Sequence, residues 1–109
     1  WDYLQKHAVK EFPDTRILAT WVHDEGYLHT TKRPVATLAD FRGLKLRAPT
    51  RLTNKLLGRL GATPVGVPVT GVAEAVSKGT IDGFALPWEV LPAFKLHELV
   101  KFHTQTDPT

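Results

Sequence analysis

The sequence predicts an α/β layered domain with a mixed sheet of about five strands flanked by short helices. Two observations carry this prediction. Stretches that alternate apolar and polar residues, as strands do, recur between stretches with helical spacing, and glycine or proline separates nearly every pair. The 109 residues are also enough to bury a core without disulfides. We therefore expect residues 1–109 to form a single α/β domain.

The N-terminal part of the chain supplies one helix and two strands in this prediction. Residues 2–12 are expected to be helical and to end at Pro13. Residues 16–22 (RILATWV) are rich in apolar, β-branched and aromatic types, which favours a strand. The turn sequence HDEG then leads into YLHTT, where alternation places Tyr27 and His29 on one face of a second strand.

The middle of the chain reads as helical turn, strand and helix. TLADFRG is expected to form one helical turn, with Thr37 and Asp40 as a capping-box pair, and LKLRA follows it as a strand. Thr50 is a good N-cap for the next helix, which Gly61 ends. The leucines of this helix recur every four residues and are expected to form its apolar stripe: Leu52, Leu56 and Leu60.

The last third alternates strand, helix, strand, helix and strand. Thr70 is expected to cap the first of these helices, which Gly79 closes with Val72, Ala75 and Val76 inward. The second helix, WEVLPAFKLHEL, is expected to break near Pro92. The three strands are TPVGVPV, TIDGFAL and LVKFHTQT.

Composition excludes several classes of site. The chain has no cysteine, which rules out disulfides, thiolate zinc sites and cysteine nucleophiles. No apolar run reaches the roughly 20 residues of a membrane-spanning helix. His23 and His29 do not match a standard metal-ligand spacing, and no nucleophile motif is present. We therefore expect no metal and no cofactor.

The charge is unevenly distributed within a net charge of +3. The stretch between Asp40 and Glu74 contains no acid, and a segment of this kind is either a solvated helix face or a surface for nucleic acid or small anions. Aromatic residues do not interleave with these charges, so we predict no nucleic-acid binding. The basic residues of the stretch are Arg42, Lys45, Arg47, Arg51, Lys55 and Arg59.

Arg47 differs from the other basic residues in its position. It ends the strand LKLR just before a helix, which is where open α/β sheets place ligand groups. Its guanidinium offers a planar fork of donors that matches a carboxylate. The alternative is an edge-strand arginine in solvent. Likewise Phe84, Trp88 and Phe94 are either core residues or pocket walls.

The sequence resembles a known family in its longest motifs. LADFRGLKLRAPT and LGATPVGVPVTGVAEAVSKGTIDG follow the order and spacing of the solute-binding subunits of TRAP transporters, the tripartite ATP-independent periplasmic uptake systems. The resemblance implies a lobe like those of type II periplasmic binding proteins. It also implies a periplasmic receptor for organic acids that is a binding protein and not an enzyme, membrane transporter subunits as partners, and a ligand carboxylate held by Arg47.

Two departures from the family pattern bear on the ligand. Leu86 stands where many members have asparagine, and Tyr27 aligns with a second arginine of sialic-acid-type members. The resemblance therefore implies an aromatic or apolar monocarboxylate, or a 2-oxo or 2-hydroxy acid, rather than sialic acid. Besides Arg47, the expected ligand-binding residues are Tyr27 or His29 for a polar group, Thr50 beside the carboxylate, and Phe84, Leu86 and Trp88 around the ligand body.

The resemblance covers this chain but only the middle of the family's length. We expect the N-terminal lobe strands, the hinge helix and the C-terminal segment to be absent, and no signal peptide begins at Trp1. The chain is then a central-lobe fragment, or its copies complete one another as a homo-oligomer. The alternative function is a stand-alone oligomeric α/β module without a transport role.

Overall fold

The computed structural model describes residues 2–106 and contains one five-stranded mixed sheet. The strands are β1 (Tyr27–Thr30), β2 (Lys45–Arg47), β3 (Thr63–Pro64), β4 (Gly83–Leu86) and β5 (Phe102–Thr104). Their order across the sheet is β3-β2-β4-β1-β5. Strand β2 runs parallel to β3 and β4, whereas β1 is antiparallel to β4 and β5. The predicted sheet of about five mixed strands is confirmed.

Short helices connect these strands, as predicted. Helical turns over Leu4–Ala8 and Val9–Glu11 end before Pro13. None of the helices within residues 2–106 is long and apolar enough to cross a membrane. The three α-helices are α1 (Arg51–Arg59), α2 (Val72–Ser77) and α3 (Val90–Ala93), and further single turns of 3-10 helix lie at Leu38–Phe41, Val69–Gly71 and Leu96–Glu98.

The sheet separates two apolar clusters, because successive side chains of a strand point to opposite faces. Phe84 and Leu86 of β4 pack with α2 and α3 on one face. On the other face, Leu46 of β2 packs with Leu57 of α1, and Ala85 of β4 lies against them. Arg47, next to Leu46 along β2, is therefore directed to the same face as Phe84.

Two of the three predicted N-caps are present. Asp40 accepts from the main-chain N–H of Thr37, and the Thr50 hydroxyl accepts from the N–H of Thr53 over 3.1 Å. The prediction for Thr70 was wrong. Thr70 lies inside the turn Val69–Gly71, so Gly71 occupies the N-cap position of α2 without a side-chain cap bond. The inward positions of α2 were predicted correctly, since Val72, Ala75 and Val76 are buried.

The predicted leucine stripe of α1 was also wrong. Leu57 is the buried residue of this helix, while Leu52 is 77% exposed and Leu56 is 54% exposed. A spacing of four residues identifies a helix, but it does not say which of two adjacent apolar rows meets the sheet.

The strand predicted over residues 16–22 is not formed. These residues lie in an irregular segment that pairs with none of the five strands, and Leu18, Trp21 and Val22 are almost fully exposed. Strand propensity reflects packing on a pleated surface, so it cannot act without a neighbouring strand.

The predicted break near Pro92 is confirmed, because two short helical segments occupy this stretch instead of one helix. Pro92 is the third residue of α3, where the main-chain nitrogen has no partner within the helix and a proline costs no hydrogen bond. The helix α3 ends at Ala93, one residue after Pro92, and Lys95 then adopts a left-handed conformation with φ of 54° before the turn Leu96–Glu98.

Candidate functional site

A row of directly paired residues crosses four strands on one face of the sheet. Arg47 of β2 pairs with Phe84 of β4, Phe84 pairs with His29 of β1, and His29 pairs with His103 of β5. With strands about 4.8 Å apart, the row extends about 14 Å. The sheet thus joins three of the predicted site residues, which are far apart in the chain, and adds His103.

Arg47 is a buried cation without an acidic partner. Only 6% of the residue is exposed, and Nε donates to the main-chain oxygen of Val67 over 2.8 Å. Nη1 is buried and has no hydrogen-bond partner, and none of the acids within residues 2–106 forms an ion pair with it. Burial lowers the pKa of the guanidinium, because the charged form is desolvated. Such a group is costly unless an anion joins it.

The apolar members of the predicted site are of two kinds. Phe84, which is itself part of the row, and Leu86 are buried in the cluster under α2 and α3, so they belong to the core on this face of the sheet. Trp88 is 41% exposed, and its ring lies 6.1 Å from that of the half-buried Tyr27, centroid to centroid. The Tyr27 hydroxyl lies 3.5 Å from Glu25 Oε2 at the surface.

His29 is fully buried with both ring nitrogens engaged. Nε2 lies 2.9 Å from the main-chain oxygen of Leu86, and Nδ1 lies 2.7 Å from Nδ1 of His103. Burial lowers the pKa of His29, the bond to Leu86 acts in the opposite direction, and the charge of His103 lowers the pKa further. The imidazole of His29 is therefore held in its neutral form.

Thr50 lies at the exposed N-terminus of α1, three residues beyond Arg47. Its hydroxyl accepts from the N–H of Thr53 and contacts the Thr53 hydroxyl at 2.8 Å. The side chain thus has a structural partner already, and the helix end near it is satisfied locally.

Sequence reasoning missed three groups around this row. The main-chain oxygen of Val67 and the ring of His103 carry no sequence signal of their own, because their roles depend on which segments pair. Asp82 follows Ile81 in a turn-like sequence and was not among the predicted site residues, but it is buried and joins three segments. Oδ2 accepts from Lys45 N over 2.9 Å, Oδ1 lies 2.7 Å from Lys32 Nζ, and the main-chain oxygen accepts from Thr31 N.

The described part of the chain offers no metal site. Residues 2–106 contain no cluster of three or more histidine, aspartate or glutamate side chains that could hold a metal ion. Two surface clefts lie away from the row. One, of about 320 Å³, lies between Arg42 and Arg59 beyond the start of β2, and an apolar one of about 230 Å³ lies beside Leu56 on the opposite face. Neither is lined by Arg47.

Comparison with known proteins identifies close relatives of this fold. A solute-binding protein from Rhodoferax ferrireducens, crystallised with copurified benzoate, is 54% identical with a TM-score of 0.90, over 99% of this chain and 34% of that one. A solute-binding protein from an unidentified marine microbe, specific for aromatic acids and bound to 3-hydroxybenzoate, is 48% identical with a TM-score of 0.86, over 94% of this chain and 32% of that one.

A curated relative and a family model agree with these structures. The sialic acid-binding periplasmic protein SiaP of Vibrio cholerae is 34% identical over 88 residues, which is 79% of this chain and 27% of SiaP. This chain thus spans about a quarter to a third of the length of its relatives. The model of the bacterial extracellular solute-binding proteins of family 7 (DctP) matches residues 3–108. The chain belongs to this family, the solute-binding components of TRAP transporters, whose role is binding for transport rather than catalysis.

Proposed function

We propose that this chain forms one lobe of a periplasmic TRAP receptor that binds an aromatic or similarly apolar monocarboxylate for uptake through membrane transporter subunits. The observation that carries the proposal is the buried guanidinium of Arg47, whose Nη1 has no partner. The two relatives that are 48% and 54% identical hold 3-hydroxybenzoate and benzoate, which supports the same ligand class here.

Arg47 is proposed to hold the ligand carboxylate. Its bond to Val67 fixes the guanidinium, while the buried Nη1 keeps its hydrogen-bonding capacity unused. A carboxylate oxygen accepting from Nη1 would form a charge-assisted hydrogen bond and offset the burial of the cation. The same hydrogen bond would be weaker for a neutral ligand, so the site should bind a carboxylate more tightly than an uncharged molecule of the same shape.

The remaining side chains are proposed to shape the site. Phe84 and Leu86 form its apolar base and Trp88 its exposed wall. Between the two candidates for a polar ligand group, Tyr27 is favoured, because both nitrogens of His29 are engaged within the fold. Thr50 contributes the edge of the site nearest the start of α1. This predominance of apolar groups suits an aromatic acid better than a hydroxylated sugar acid.

Binding of benzoate to the 109-residue chain tests this proposal. Amide NMR spectra should shift around Arg47 and Trp88 on addition of millimolar benzoate, and benzamide, which is neutral and of the same shape, should cause no such shifts. Arg47→Gln should weaken benzoate binding at least about tenfold, because a charge-assisted bond is lost. Arg51→Gln, on the exposed face of α1, is the matched control. Equal binding by Arg47→Gln would refute the assignment.

Association between copies is a second proposal, favoured by one observation. Leu18, Trp21 and Val22 are exposed in an irregular segment that pairs with none of the five strands, and exposed apolar residues of this kind favour association between copies. A module that acts through oligomerisation would then form dimers or larger species without binding any acid. Light scattering gives the mass, and a monomer across the micromolar range would exclude this alternative.

A further inference from the structure

The contact between His29 and His103 fixes the protonation of both rings. The main-chain oxygen of Leu86 can only accept, so His29 Nε2 must carry the proton of the 2.9 Å bond to it. In a neutral imidazole the other nitrogen is then an acceptor. Nδ1 of His29 must therefore accept from Nδ1–H of His103 across the 2.7 Å contact.

The two histidine side chains thus link three strands, because His103 lies on β5, His29 on β1 and the accepting main-chain oxygen of Leu86 on β4. The proton donors point from β5 to β1 and from β1 to β4, across a separation of 74 residues in the chain. Trp88 covers the two imidazoles, with ring centroids 5.0 Å from His29 and 4.7 Å from His103. We call Leu86, His29 and His103 the imidazole relay.

The relay has room for one added proton. Nε2 of the exposed His103 can take it without disturbing the Nδ1 contact. A second proton would have to enter at His29 Nδ1, which would set two N–H groups against each other at 2.7 Å. The pair would then separate, because neither nitrogen could accept.

The charged and titratable groups around the relay do not offset this second proton. Arg47 lies on the same face beyond Phe84, and its like charge opposes a cation at His29. Tyr27 on β1 contacts Glu25, which directs that carboxylate to the tyrosine hydroxyl. In the 3-10 turn Leu96–Glu98, His97 Nε2 lies 3.9 Å from Glu98 Oε1, and both side chains are exposed. Glu89 follows Trp88 and is exposed.

We propose that His103 is a positioning residue of the acid site, and that it holds His29, Leu86 and Trp88 in place through the imidazole relay. The inference rests on the proposed function, since it takes Trp88 as a wall of that site. Ligand binding should therefore depend on the donor at position 103 and on the relay holding no more than one added proton.

Two variants separate a missing donor from a missing ring. Asparagine places an amide N–H close to the position of histidine Nδ1, so His103→Asn keeps a donor for His29, whereas His103→Ala removes it. We expect His103→Ala to weaken benzoate binding about fivefold, the equivalent of one ordinary hydrogen bond. His103→Asn should bind like the wild type, and His97→Ala is the control for loss of an exposed imidazole. Equal affinity of His103→Ala and wild type would overturn the positioning role.

Imidazole ¹⁵N NMR tests the relay without any ligand. At neutral pH, His29 should be protonated at Nε2 alone and His103 at Nδ1. On acidification, the indole signal of Trp88 should move when His29 is protonated, because the contact between the two Nδ1 atoms is then lost. A proton on His29 Nδ1 at neutral pH would overturn the relay. If the tautomers are as expected but benzoate does not bind, the proposed function fails and the relay stands.

Discussion

Arg47 donates from Nε to the main-chain oxygen of Val67 across 2.8 Å, which links the end of β2 to the segment before α2. The bond uses Nε, the guanidinium nitrogen that is attached to Cδ, and Nη1 remains buried without a partner. The cation is thereby desolvated and oriented when the chain folds rather than when a ligand arrives. Such preorganisation lowers the cost of binding and raises the cost of folding.

Replacing this cation should therefore stabilise the ligand-free chain. Arg47→Met keeps the apolar stem and removes the desolvated charge. We expect the free energy of unfolding to rise by about 1 kcal/mol, after the loss of the Val67 bond is included. Urea unfolding measures the change, and benzoate binding should be lost in the same variant.

The control for this prediction is a charge removed from the surface. Arg51→Met lies on the exposed face of α1 and should change the free energy of unfolding by less than about 0.5 kcal/mol. If Arg47→Met instead destabilised the chain by more than about 1 kcal/mol, the guanidinium would be a structural group and the argument from its burial would fail.

Neighbouring leucines of α1 provide a second test. Leu57 is 7% exposed within the cluster on the α1 face of the sheet, whereas Leu56 is 54% exposed. Leu57→Ala should lower the free energy of unfolding by about 3 kcal/mol, because it removes buried methyl groups and leaves a cavity. Leu56→Ala, the same chemical change one residue away, should cost less than about 1 kcal/mol. Thermal unfolding of the two variants under one condition compares them directly.

The leucines also show how far a sequence can locate a helix face. The spacing identified the helix and its Thr50 cap, since both are local properties. It favoured Leu52, Leu56 and Leu60 over Leu57, because the row at four-residue spacing is the longer one. Which row meets the sheet depends on where β2 and β4 run, and periodicity contains no information about that.

The candidate site likewise contains residues whose positions follow from local sequence and residues whose positions depend on distant strand pairing. The position of Arg47 at the end of β2 was predictable, because strand, loop and helix follow one another within a few residues of it. His103 was not, because its contact with His29 requires β1 to pair with β5 across 74 residues. Residues 16–22 illustrate the converse, since their strand propensity was clear and none of the five strands of the sheet pairs with them.

Asp82 is expected to contribute to the acid sensitivity of the fold. Burial raises the pKa of its carboxyl group, but the hydrogen bonds and charges of Lys32 and Lys45 outweigh burial, so the folded pKa lies below the ordinary 3.8. A lowered folded pKa means that the unfolded chain binds the proton more tightly. The stability from Asp82 is therefore complete above about pH 3.8 and is lost as the pH falls through the folded pKa.

Asp82→Asn tests this contribution at neutral and acid pH. At pH 7 the variant should lose about 2 kcal/mol of unfolding free energy, because a charge-assisted bond and the partner of Lys32 are removed. Its stability should then fall less steeply than that of the wild type as the pH drops below about 3.8, because the proton that Asp82 takes up on unfolding is missing. Asp14→Asn, an exposed acid, should leave both quantities unchanged. Parallel pH profiles for Asp82→Asn and wild type would contradict the assignment.

At Gly83 the backbone of β4 lies so close to the backbone of β1 that there is no space for a side chain. A Cβ at this position would lie 2.4 Å from the main-chain oxygen of His29, 2.9 Å from Thr30 Cγ2 and 3.1 Å from Leu46 Cδ2. The first of these is a backbone atom of β1 and cannot move without opening the pairing of β1 with β4. Gly83→Ala should therefore cost about 3 kcal/mol or more of unfolding free energy and disturb the contact between His29 and His103.

Gly66→Ala is the matched control, because a Cβ there would meet nothing within 4 Å. This variant should stay within about 1 kcal/mol of the wild type, and the sign is expected to be stabilising if the backbone conformation suits alanine. Urea unfolding gives both free energies, and the ring signals of His29 and His103 report the row. A Gly83→Ala chain with wild-type stability and unchanged ring signals would contradict this prediction. The pairing of β1 with β4, and the row from Arg47 to His103, would then not depend on the absence of a side chain at Gly83.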